Sequence, residues 1–238
     1  MREPVMTIFR PWTLLLAAIS VALVVSVPQS RADLPPGGGD GGLSAIYGAR
    51  EVFSSNNAQF LPWIDAMDRA QRELVQTRVC AGEGDTDCTP GQWRALIDEL
   101  AGLSLRAKLE RVNAVMNLQP YMPTQRNWGV PVYWETPFEF LAKGGQCQDY
   151  AIAKYLALRA AGVPDANLRV LVVHDTDRNF NHAVLVVTVD GESYLLDSLN
   201  RDILPASQVT HYRPYFSINQ SGWWYYIGGH AMFADNGY

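Results

Sequence analysis

The sequence predicts an α+β fold. Segments with helical apolar spacing gather before residue 162, and segments of strand character follow it. Strand and helix do not alternate, so a parallel βαβ sheet is not expected. The chain is organised around Gly144-Gly145-Gln146-Cys147-Gln148-Asp149-Tyr150, where two glycines end one segment and a cysteine opens the next.

The first 32 residues stand apart. Arg2 and Arg10 form a basic start, Leu14 to Val27 is almost unbroken apolar sequence, and Ser30-Arg31-Ala32 is a small-x-small cleavage site. This reads as a secretory signal peptide over residues 1–32, with an uncleaved membrane anchor as the rival reading. Cleavage would remove Arg2, Arg10, Arg31 and Glu3, taking the formal charge from −5 to −7. An acidic chain with no basic patch excludes nucleic acid as a partner. Residues 33–45, with Pro35-Pro36 and Gly37-Gly38-Gly39, read as a flexible mature N-terminus. Residues 46–238 are then long enough for a single domain with a sizeable core.

Within that domain residues 58–78 read as a helix, from Leu61, Ile64, Met67 and Leu74. Cys80 and Cys88 flank a Gly/Asp-rich loop, and an exported chain favours a local disulfide between them. That pairing leaves Cys147 as the odd thiol. The loop acids Glu83, Asp85 and Asp87 alternate as calcium ligands can, but the full pattern is missing and a solvated loop is the better reading. Thr89-Pro90 starts a helix to about 101, and Ser104 starts another that ends before Pro120. Residues 120–134 hold three prolines and the aromatics Tyr121, Trp128, Tyr133 and Trp134. They form an irregular segment that lines a cleft or packs over a helix. Thr136-Pro137-Phe138-Glu139 is a capping box for a short helix ending at Gly144. A helix over about 147–161 follows, with Gly162 at its C-terminus and Pro164 beyond. Leu168 to Val173 reads as a strand, and His174 to Asn181 as a polar turn. Strands over 182–190 and 192–197 form a hairpin about Asp190-Gly191. Residues 202–207 read as a turn or short helix. Two aromatic-rich strands then flank Gln220-Ser221-Gly222.

Chemistry enters at Cys147. At or just before a helix N-terminus, unpaired N–H groups and the helix dipole favour a thiolate. Residue type alone still fits a nucleophile or a core thiol. His182 heads one strand of the hairpin and Asp197 ends the other. A helix-borne cysteine facing a strand-borne histidine, with a third group fixing the imidazole, is the constellation of thiol acyl transfer.

With these residues placed, the chain resembles the bacterial transglutaminase-like cysteine proteinases of the transglutaminase/papain-like superfamily. The resemblance spans about residues 60–227. It rests on Tyr133-Trp134-Glu135-Thr136-Pro137, Gly145-Gln146-Cys147-Gln148-Asp149-Tyr150-Ala151-Ile152-Ala153-Lys154, His182-Ala183-Val184-Leu185 and Leu196-Asp197-Ser198-Leu199. It implies a central antiparallel sheet with the nucleophile helix packed against it. It implies Cys147 as nucleophile, His182 as base and Asp197 as the group orienting it. It implies hydrolysis of a peptide bond in a periplasmic protein substrate, such as a surface adhesin, through a thioester, and an inner-membrane regulatory receptor as partner. The Cys147 N–H would hold the oxyanion, with Gln146 or Trp128 as second donor. The adhesin-cleaving members carry acids on both sides of the nucleophile, in a calcium site. Here Gln146 and Gln148 stand there, and only Asp149 keeps a carboxylate as a candidate calcium ligand. Calcium prefers charged oxygens, so no cofactor is expected. The same triad would also serve an acyltransferase or amidase, and the same fold a non-catalytic periplasmic binding module.

Overall fold

The backbone donors and acceptors of seven strands are paired in one sheet, antiparallel throughout, in the order β1-β7-β6-β2-β3-β4-β5. The computed structural model describes residues 43–75 and 88–228, all within the unit Pro36–Tyr238. In chain order the elements are α1 (Leu43–Tyr47), β1 (Arg50–Ser54), α2 (Leu61–Val75), α3 (Thr89–Ala101), α4 (Leu105–Met116), α5 (Thr124–Trp128), α6 (Pro137–Lys143) and α7 (Cys147–Ala160). The sheet half continues with β2 (Leu168–Asp175), β3 (Phe180–Val189), β4 (Glu192–Leu196), β5 (Leu204–Pro205), β6 (Tyr212–Asn219) and β7 (Gly222–Ile227). Short 3-10 turns occupy Asp165–Asn167 and Ala206–Gln208.

The α+β expectation holds, with the helix that begins at Cys147 packed on the sheet. Helix α7 is buried continuously from Asp149 to Leu158, because it is apolar on nearly every side and so belongs in the core rather than on the surface. It lies against β3 and β2, with α4 and α6 packed beside it. Strand alternation divides the apolar side chains between two faces. Leu168, Val170, Leu185, Val187 and Leu196 meet the helices through Ile152, Tyr155 and Trp63. Leu171, Val173, Val184, Val186 and Leu195 face away and are covered by Leu43, Ala206, Val209 and Tyr212.

Several boundaries differ from the sequence reading. Strand β1 precedes helices α2 to α7 yet pairs with β7 at the sheet edge. The cap of α3 is Cys88, whose Sγ accepts from the Gly91 N–H at 3.4 Å, rather than Thr89. The irregular segment contains the one-turn helix α5. The expected turn over 174–181 shrinks to 176–179, because β2 runs on to Asp175 and β3 begins at Phe180. Asp175 makes this tight turn possible: its Oδ1 accepts from the N–H groups of Asp177 and Arg178, and its Oδ2 from the Arg178 guanidinium. The signal-peptide region, residues 33–42 of the expected flexible start over 33–45, Cys80 of the expected disulfide and the acidic loop lie outside the described residues, whereas residues 43–45 of that start begin helix α1, with Leu43 buried. Among the described residues, no helix is long and apolar enough to cross a membrane.

Candidate active site

Cys147 is the first residue of α7 and a free, partly exposed thiol. The backbone before it has little freedom. Gly144 has φ +71°, and a Cβ there would sit 2.1 Å from the Pro120 carbonyl oxygen, so only glycine fits. The Asp149 side chain closes the turn by accepting from the Gln146 N–H at 2.8 Å. These contacts fix where the helix begins, and hence where the thiol points.

His182 sits near the head of β3, and Asp197 just past the end of β4. Leu185 pairs with Leu196, so Asp197 falls on the side of the sheet that His182 shares. The His182 Nε2 donates to Asp197 Oδ1 at 2.8 Å, with both side chains buried. The other ring nitrogen is left for Cys147, whose Sγ also approaches Gln148 Oε1 at 3.7 Å. Burial opposes the charged imidazolium, but the hydrogen bonds and charges of Asp197 and Cys147 outweigh it and raise the His182 pKa to about 9. Burial likewise pushes Asp197 up, yet His182, the Leu199 N–H and the Tyr212 hydroxyl bring it down to about 2.

A polar network holds the aspartate in place. Asp197 Oδ1 also accepts from the Leu199 N–H at 2.8 Å, and Oδ2 accepts from the Tyr212 hydroxyl at 2.5 Å and Asn200 Nδ2 at 3.3 Å. Asn117 of α4 donates to the carbonyls of Asp197 and Asn200, and Asn113 to those of Asn200 and Arg201. Lys154 of α7, fully buried, donates from Nζ to Asn113 Oδ1 at 2.8 Å and to the Leu196 carbonyl at 3.3 Å. Burial lowers its pKa to about 7, against the pull of Asp197. Sequence reading missed Tyr212, Asn113, Asn117 and the role of Lys154. The one available signal was a lysine inside the otherwise apolar run from Tyr150 to Leu158.

The triad opens into a cleft of about 520 Å³ between the 121–134 segment and the β3 and post-β4 loops. Of the aromatics in that segment, Tyr121, Tyr133 and Trp134 line it. Trp128 does not: its ring carries the Lys143 ammonium at 3.7 Å, and its Nε1 donates to Glu135 Oε1 at 2.6 Å. It is therefore unavailable as the second oxyanion donor. Gln146 does line the cleft, and its Nε2 donates to the Tyr121 hydroxyl at 3.3 Å.

Behind the thiol, Asp149 and Glu135 form a buried acidic pair. A Cβ on Gly145 would lie 2.7 Å from Asp149 Oδ2 and 2.9 Å from Glu135 Oε2, so both carboxylates crowd the same glycine. Burial, then the charge of Glu135, raises the Asp149 pKa to about 8. The acceptors are largely filled by N–H groups. Asp149 takes the N–H of Glu135 at 2.9 Å and Gln148 Nε2 at 3.1 Å besides the Gln146 N–H. Glu135 Oε1 takes Asn127 Nδ2 at 3.0 Å as well as Trp128, and the Gln146 side-chain oxygen takes the N–H and hydroxyl of Thr124. Of the carboxylate oxygens of Asp149 and Glu135, Glu135 Oε2 is the one buried without a partner. Calcium takes six to eight oxygen ligands. Among the described residues, no group of three or more His, Cys, Asp or Glu is placed to hold a metal.

A helix-borne thiol, a strand-borne imidazole and a carboxylate behind it, on an antiparallel sheet, define the transglutaminase-like class of α+β cysteine enzymes. Residues 71–231 match the family described as bacterial transglutaminase-like cysteine proteinase, and the chain belongs to that family. Among solved structures it is similar to Legionella pneumophila LapG, at 32% identity and TM-score 0.55 over 66% of this chain and 87% of that one. Calcium-bound and EGTA-treated structures of the same Legionella protein match at 32% identity, with TM-scores of 0.54 and 0.55. They cover 67% and 66% of this chain, and 87% and 84% of theirs. No curated protein sequence matches the chain.

Proposed function

We propose that this protein is a periplasmic cysteine endopeptidase, exported by residues 1–32, that cleaves a protein substrate through Cys147, His182 and Asp197. The observation that carries the reading is the arrangement itself: Asp197 bonded at 2.8 Å to a histidine that lines the same cleft as the one free cysteine among the described residues. The Cys147 thiolate attacks the scissile carbonyl carbon. The Cys147 N–H, at the first position of α7, faces the developing oxyanion. The His182 imidazolium gives its proton to the leaving nitrogen as the C–N bond breaks, leaving a thioester on Cys147. Neutral His182 then takes a proton from water, whose oxygen attacks the thioester and releases the acid and the thiolate. Asp197 keeps the imidazole oriented through both steps. The family resemblance supplies a surface adhesin as the substrate and an inner-membrane receptor as the regulator.

Iodoacetamide labelling against pH tests the arrangement. Cys147 should alkylate rapidly at neutral pH and lose that reactivity in His182→Ala. Ordinary thiol behaviour in both proteins, or proteolysis by Cys147→Ala, would reject it.

The proposal extends to calcium. One relative is a calcium-bound structure, but in this chain N–H donors occupy most of the carboxylate and amide oxygens at the helix start. The site is proposed to work without the ion. Calorimetric titration of metal-stripped protein should show no tight calcium site, and EGTA should leave proteolysis unchanged. Micromolar binding that disappears in Asp149→Asn would overturn this.

A further inference from the structure

The chain carries a formal charge of −5, yet no Asp, Glu, Lys or Arg lines the cleft. Its walls instead display apolar side chains to solvent. Phe180 is 39% exposed and Leu199 47%, although both are large and hydrophobic. Exposed apolar side chains gathered in a concave site indicate contact with a ligand.

The chemistry of the proposed reaction says which part of a substrate meets them. The acyl carbon becomes attached to Cys147, while the leaving nitrogen receives its proton from His182. The residue that owns that nitrogen must therefore rest against whatever flanks His182. Phe180 lies two residues before His182 on β3, so it projects on the same face, and its ring packs edge-on against the imidazole at 5.7 Å. Leu199 lines the same cleft, its backbone N–H donating to Asp197, the partner of His182. The turn that presents Phe180 is fixed by Asp175.

We propose that Phe180 and Leu199 form the subsite for the residue just after the scissile bond and select an uncharged, apolar side chain there. This rests on the peptidase reading and adds its specificity. A charged side chain placed between these two apolar side chains would lose solvation, and no Asp, Glu, Lys or Arg lines the cleft to pair with it.

The test uses the purified full chain with a peptide library made from a digested bacterial proteome. New N-termini are read by mass spectrometry against a Cys147→Ala blank. Matched peptides from the best site, differing only after the scissile bond, then give kcat/KM for Leu, Asp and Lys. Leu should exceed both charged residues by about tenfold or more. Phe180→Lys and Leu199→Lys place their charges at exposed positions, so the fold should survive, as checked by circular dichroism. Both should shift preference toward Asp. Cleavage that depends on Cys147 but ignores this position, or a preference untouched by both variants, overturns the subsite and leaves the peptidase reading standing. No cleavage beyond the blank overturns both.

Discussion

His182 is where most of the site's electrostatics converge, and its state follows from groups that sequence spacing could not bring together. Cys147, His182 and Asp197 were legible because each has a local marker: a leftover thiol at a helix start, and polar residues at the two open ends of a hairpin. Tyr212 has no such marker. It reaches Asp197 only because β6 pairs with β2, setting Tyr212 opposite Asp175. Its hydroxyl helps hold Asp197 ionised, and Asp197 in turn holds the imidazolium. Tyr212→Phe should therefore let the Asp197 pKa rise and the His182 pKa fall below about 9. The alkaline limb of kcat/KM, where the proton for the leaving amine is lost, should move to lower pH. A pH–rate profile of the two proteins reads this shift, while a purely structural role would lower the whole profile without moving the limb. Asp197→Asn removes the orienting charge altogether, and a rate loss on the order of 10^2 to 10^4 is expected.

At the scale of elements, helix α7 was readable and strand β1 was not. The helix has strong punctuation on both sides, with Gly144-Gly145 before it and Gly162 and Pro164 after. Strand β1 has five residues, no alternating burial, and a partner at the far end of the chain. Pairing over such a separation leaves no trace in local pattern. The start of α7 carries its own prediction. Gly145 has room for no side chain, because a Cβ would press on both Asp149 and Glu135. Gly145→Ala should push these carboxylates aside, loosen the turn that Asp149 closes and displace Cys147. Overpacking of this kind costs about 1–3 kcal/mol. Urea denaturation should report that loss, and the rate of Cys147 alkylation should fall with it. Unchanged stability and thiol reactivity would mean the turn tolerates the methyl.

For the molecule as a whole, two buried groups around Asp197 give opposite pH dependences of stability. His182 is raised from 6.5 to about 9. Between those values the folded state holds a proton that the unfolded state has released. The His182 contribution is thus complete below about pH 6.5 and is lost as pH rises through about 9. Lys154 is lowered from 10.5 to about 7. Between pH 7 and 10.5 the unfolded chain holds the extra proton, so this group makes the fold more stable as pH rises. From about pH 7 to 9 the two slopes oppose each other, each roughly 1.4 kcal/mol per pH unit. Other groups titrate in this range, Asp149 among them, so differences between proteins isolate each contribution. The urea-derived stability of Lys154→Met, minus that of the parent, should fall across pH 7 to 9, because the compensating lysine is gone. The same difference for His182→Gln should rise over that window. Lys154→Met also leaves Asn113 Oδ1 without its donor, which lowers the curve at every pH by about 1–3 kcal/mol without altering its slope. A Lys154→Met difference that stays flat from pH 7 to 9 would mean that the buried lysine keeps an ordinary pKa, and that Asp197 is flanked by two full cations rather than one.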